Sequence, residues 1–173
     1  MLQRTSVVRD LGVSIDDRLS YSLHLDDVIR RASVIVSWIL RAFCLRSPSA
    51  YMKLFESHVV PILLYASPIW LPSGKGDIEK PRKLQRRFLA RVEFRCGLAP
   101  RSLDMVDIVD RYEKADIRAL RRMIRSDAIF DEFFVLRSTS SRRGFALAPH
   151  SRAHTDHMAH QFAWRLTNVI NMQ

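Results

Sequence analysis

Cysteine is scarce in this sequence. Cys44 and Cys96 stand far apart with no C-x-x-C spacing, which excludes a disulfide scaffold or a cysteine-built zinc site and suggests two small buried apolar residues in a reducing compartment. Long apolar runs are also missing. The longest, Val59 to Leu71, is interrupted by Pro61 and Pro68 and falls short of the ~20 residues that span a bilayer. Met1-Leu2-Gln3-Arg4 leads into polar residues, so no signal peptide is expected at this start, and the expected setting is intracellular, nuclear or cytoplasmic, without a membrane. With five glycines, Gly74-Lys75-Gly76 is too short for a phosphate-cradling loop, and neither HExxH nor GxSxG occurs. Acid is the last shortage: 18 Asp+Glu face 28 Lys+Arg, giving +10 and a pI near 10.4.

What is present is a globular chain of 173 residues with 47% hydrophobic content, enough for a core in one domain or a domain with an appendage. Twenty-three of the cations are Arg, the side chain that forks onto phosphate and stacks on bases. The base composition of the gene is the bland alternative. A field of this sign favours nucleic acid or another anionic surface.

The patterning is mainly α. In "TSVVRDLGVSIDD", Leu11, Val13 and Ile15 alternate with Gly12 and Ser14, predicting one N-terminal strand closed by a turn at Asp16-Asp17 and lacking a partner. From Ser22, a plausible N-cap, Leu25, Val28, Ile29, Ala32, Val36, Ile39 and Phe43 form a helical stripe, with Arg30, Ser33, Ser37 and Arg41 on the other side. Ser47-Pro48 opens a second helix through Tyr51, Phe55 and Val59, expected to kink at Pro61 and to be ended by Pro68 near Trp70. A third helix is expected from Asp77 or Lys80 to a stop at Gly97 and Pro100. Short helical character is expected over 102–109, and a longer helix over 115–134. The composition of 137–153 reads as loop, and 154–170 as a final amphipathic helix. The expected divisions are 1–21, 22–136, 137–153 and 154–173.

The third helix carries the clearest binding signal. Leu84, Phe88 and Val92 recur every four residues as an anchor, while Lys80, Arg82, Lys83, Arg86, Arg87 and Arg91 supply a basic face with few acids in sequence to balance it. A solvated face is the bland reading. Tyr65, Trp70 and Phe55 can stack on bases, but at this spacing they fit a core better. His150, His154, His157 and His160, with Asp156 nearby, offer H-x3-H spacing for a metal, yet lack the rest of any zinc motif; solvated histidines fit better.

Five ordered words resemble the end of the reverse transcriptase of non-LTR (LINE-type) retrotransposons: "RDLGVSIDDRLSYSLHL", "YMKLFESHVVPILLYASPIWLP", "DIEKPRKLQRRFLARV", "LRRMIRSDAIF" and "RRGFALAPHSRAHTDHMAHQFAWRLTNVIN". The resemblance implies a helical thumb-and-connection region, with Leu11, Gly12 and Val13 in a primer-grip hairpin. It implies RNA and DNA as partners, together with the palm and fingers expected upstream. The polymerase Mg²⁺ would be bound by that palm, so no cofactor is expected here. Asp16-Asp17 and Asp26-Asp27 lack the "YxDD"-like setting of catalytic aspartates and suit a turn and a helix start. The expected function is therefore template and primer binding without catalysis. The alternatives are a helical protein–protein interaction module derived from such an element and, more remotely, a small metalloenzyme using the terminal histidines. Two positions depart from the pattern: Leu64 and Arg82 stand where the family has Glu, which puts two ion pairs in doubt.

Overall fold

The computed structural model describes residues 6–44, 46–71, 75–125, 134–138 and 145–149. The protein is mainly helical, as the periodicity predicts. It divides into two compact units, residues 1–112 and 113–173.

The first unit opens with a hairpin, not a lone strand. β1 (Val7–Asp10) pairs antiparallel with β2 (Val13–Asp16), Val8 opposite Ile15 and Asp10 opposite Val13. Leu11 and Gly12 make the two-residue turn, both with positive φ, the backbone that twists with its flanking strands. The expected orphan strand is thereby corrected, since its partner precedes it by a turn. Asp16 closes the next corner. Its carboxylate accepts the backbone N–H groups of Arg18, Ser20 and Tyr21 and the Ser20 hydroxyl, at 2.7–3.0 Å. Burial pushes this carboxyl up, but those bonds prevail and hold it below its ordinary range.

Helix α1 (Ser22–Ala42) follows the expected stripe, with Leu25, Val28, Ala32, Val36 and Ile39 buried. Its N-cap is Tyr21, in the left-handed region, and not Ser22. Next come α2 (Pro48–Leu54), a π-helical turn (Phe55–Val59) and α3 (Val60–Leu64). The widened turn directly precedes Pro61, which has no N–H to continue an α-helical ladder. The second helix does not reach Trp70. It stops at Leu64, Ala66 turns left-handed, and Pro68 lies in the first turn of α4 (Ser67–Trp70) instead of ending a helix.

Helix α5 runs from Lys75 to Cys96, starting earlier than expected and enclosing Pro81. It ends where Gly97 takes φ +66°. There the Leu98 N–H reaches the Glu93 carbonyl at 2.9 Å and the Gly97 N–H reaches that of Phe94 at 3.4 Å, the paired closure that glycine permits. Residues 102–107 are not helical; α6 spans Ile108–Ile124. One core joins Val13 of the hairpin to α1, the α2–α3 run, Trp70, the α5 anchors and Ile108 and Tyr112 of α6.

The second unit holds the end of α6 and a second hairpin, β3 (Phe134–Ser138) with β4 (Phe145–Pro149), Leu136 opposite Leu147. These strands correct both the helix expected through Phe134 and the loop expected over 137–153. The expected final helix, with the His150 to His160 cluster, lies outside the described residues. Both cysteines are free, Cys44 exposed and Cys96 half-buried, so neither is the core residue expected of it.

Candidate nucleic-acid interface

Helix α5 is fixed by its apolar side. Leu84, Phe88 and Val92 are buried, and the Phe88 ring lies 4.6 Å from that of Phe55. Two buried polar side chains on the same helix tie down the following segment. Gln85 accepts the Ile108 N–H at 3.0 Å and donates to the Val106 carbonyl at 3.0 Å. Glu93 accepts the N–H groups of Leu103 and Arg101 at 2.9 and 3.0 Å, and these bonds hold its carboxyl below its ordinary range. Sequence periodicity overlooked both, because a polar residue inside a basic helix looks solvated until its backbone partners are placed.

The six expected cations separate into two sets. Lys80 pairs with Asp26 of α1 at 2.6 Å and with Asp77 at 2.9 Å, and the two carboxylates raise its pKa. Arg82 pairs with Asp107 at 2.9 Å, an acid that also accepts the Val109 N–H in the first turn of α6. Arg82, one of the two positions where the sequence departs from the pattern it resembles, is thus paired. Leu64, the other departure, packs half-buried against the core. Arg86 pairs with Glu79, two turns back on α5. Such exposed pairs stabilise a fold by little, ~0–1 kcal/mol each, but they neutralise half of the expected ridge. The expectation of uncompensated charge is corrected accordingly.

Lys83, Arg87 and Arg91 are the other set. All three are exposed, and none forms an ion pair among the described residues. Four-residue spacing places their heads in one row, about 6 Å apart along the axis. Arg91 also borders an open groove between α1 and α5, lined by Arg30, Ser33, Ser37 and Arg41 from α1 and by Arg95 from α5. Arg95 is steadied by the Phe43 carbonyl at 3.3 Å and the Tyr51 hydroxyl at 3.4 Å. Arg41 donates to the Ser37 carbonyl at 3.3 Å. The sequence placed Arg41 on the outer side of α1, but gave no sign that it faces α5.

The other candidates are structural. Trp70 and Phe55 are buried, as their spacing suggests, and the Trp70 indole donates to the Tyr65 carbonyl at 2.6 Å. Tyr65, expected in the core, is exposed. At the hairpin, Leu11 is exposed, Gly12 supplies the turn and Val13 enters the core. Asp26 and Asp27 hold Lys80 and the pair Arg30 and Arg31, respectively. No cluster of three His, Cys, Asp or Glu suited to a metal occurs among the described residues. No described helix is long and apolar enough to cross a membrane.

A 100-residue stretch is 32% identical to an uncharacterized protein of Caenorhabditis elegans. It takes in 56% of this chain and 49% of the relative, so the chain spans about half the length of the curated relative it matches. No family model matches the chain, and no solved structure matches it.

Proposed function

We propose that this chain is a thumb-and-connection region similar to that of a LINE-type reverse transcriptase, and that it holds template and primer without joining nucleotides. The observation that carries the binding function is the row Lys83–Arg87–Arg91, exposed and without an ion pair among the described residues, on a helix whose opposite face is locked into the core. Phosphate binding needs cations that are not already neutralised and that a rigid element presents together. The adjoining groove adds Arg41 and Arg95. The ordered words of the sequence support the assignment to that family, and the same resemblance gives Leu11, Gly12 and Val13 of the N-terminal hairpin the role of a primer grip.

The test is salt dependence. The full chain binds RNA or DNA with a negative log–log salt slope. Changing Lys83, Arg87 and Arg91 together to Gln flattens it by about 2–3 (0.7–0.9 per phosphate contact) while leaving the circular dichroism spectrum unchanged. An unchanged slope in the folded variant rejects the row as a phosphate surface. Salt-insensitive binding to a protein partner instead would favour the interaction-module reading, which the exposed Trp38 and Val34 of α1 support.

A further inference from the structure

Resting on that nucleic-acid reading, we propose that the α5 face takes a single strand in preference to a duplex, with an unstacked base lying on Phe94. Phe94 is 84% exposed, far from the core role its residue type ordinarily fills. It follows Arg91 by three residues and Arg87 by seven, so it extends the row Lys83–Arg87–Arg91 by one further turn. With Arg87, Ala90 and Arg91 it lines one open depression, where the small Ala90 leaves the flank of the ring clear. A solitary surface Phe needs no explanation. A fully presented ring that terminates a row of cations without ion pairs among the described residues has a specific chemical match.

The match is a nucleotide outside a helix. A duplex turns its phosphates to the protein and keeps its base faces inside the stack, so it has nothing flat to lay on Phe94. A single strand offers both parts: phosphates for the row and a π-face for the ring. Arg91 belongs both to this depression and to the α1–α5 groove. The strand can therefore continue from the ring past Arg91 toward Arg95 and Arg41. Stacking tolerates any base, so the surface binds strands with little sequence preference.

The experiment is fluorescence anisotropy at fixed salt on the full chain, with a labelled 12-nucleotide strand, its duplex, and the same strand carrying abasic sites. Wild type binds the intact strand more tightly than the duplex. Phe94→Ala weakens the intact strand about ten-fold or more, leaves duplex binding and the salt slope unchanged, and has no further effect on the abasic strand. Phe94→Trp restores binding, and its indole emission is quenched by the strand. Equal loss for strand and duplex, or no loss for either, overturns the proposal while leaving the phosphate row standing. Failure to bind any of the three nucleic acids removes the underlying reading as well.

Discussion

The Tyr65 hydroxyl donates a 2.8 Å hydrogen bond to the Leu11 carbonyl at the tip of the N-terminal hairpin. The ring also lies 3.7 Å from where a side chain on Gly12 would begin. This exposed Tyr thus clasps a turn that Val13 has anchored from below in the core. Tyr65→Phe should cost about 1 kcal/mol, and Gly12→Ala about 1–2 kcal/mol because its φ of +86° is strained for a side chain. Deleting residues 1–17 should lower the urea midpoint and shorten the cooperative transition, since Val13 leaves the core and His24 loses the Ser14 N–H. An unaltered midpoint would show that the hairpin is an appendage.

The two sides of α5 should respond oppositely. Phe88→Ala opens a cavity beside Phe55 and should cost ~3–5 kcal/mol. The triple change of Lys83, Arg87 and Arg91 to Gln should stay within about 0.5 kcal/mol of wild type. Chemical denaturation of both proteins separates anchor from surface. Comparable losses would contradict the assignment of faces.

Tyr112 is fully buried with its ring 6.1 Å from Trp70, and its hydroxyl has no hydrogen-bond partner among the described residues. Burial raises its pKa well above the usual phenol range. An unsatisfied buried hydroxyl is a desolvation penalty that Phe does not carry. Tyr112→Phe should therefore raise stability by about 1 kcal/mol, read as a higher urea midpoint at constant m-value. A loss of stability would reveal a partner for the hydroxyl.

His24 should make the protein acid-sensitive. Its ring is buried against Trp70, its Nδ1 accepts the Ser14 N–H, and its Nε2 has no partner among the described residues. Burial first, and then Arg31 and Arg9, lower its pKa, with Asp27 opposing them. The unfolded chain therefore binds a proton before the folded one does. Stability is full above the ordinary imidazole pKa near 6.5 and declines as pH falls below it toward the lowered folded value. The difference in unfolding free energy between pH 7.5 and 5.5 should shrink in His24→Asn, which keeps an acceptor but cannot titrate. Equal wild-type stability at the two pH values would refute this.

Primer extension should be absent. Two-metal nucleotide transfer needs free convergent carboxylates, whereas Asp16 is committed to its turn and Asp26 and Asp27 to ion pairs. Template-dependent incorporation with Mg²⁺ or Mn²⁺ that disappears in Asp16→Asn or Asp26→Asn would overturn the non-catalytic reading.

Local chemistry was legible in the sequence wherever one element decides it. The α1 stripe, the α5 anchors and the Gly97 stop follow from helical period and glycine's backbone freedom, and the structure keeps all three. The first hairpin was harder to read, because Leu11 occupies a positive-φ position that usually announces itself with Asn, Asp or Gly. Composition likewise masked β3 and β4, which flank a stretch rich in Ser and Arg. Which cations of α5 remain available was a tertiary decision. Asp26 and Asp107 reach Lys80 and Arg82 from other elements, and no periodicity within α5 can locate an acid that folding delivers from elsewhere. Glu79 and Arg86 were within reach of sequence, as they lie on the same face two turns apart. The sequence by itself determined that α5 is a basic helix with one buried side. Only the fold selected Lys83, Arg87 and Arg91 as the cations left without an ion pair among the described residues, because ion pairing depends on distance in space and not on distance along the chain.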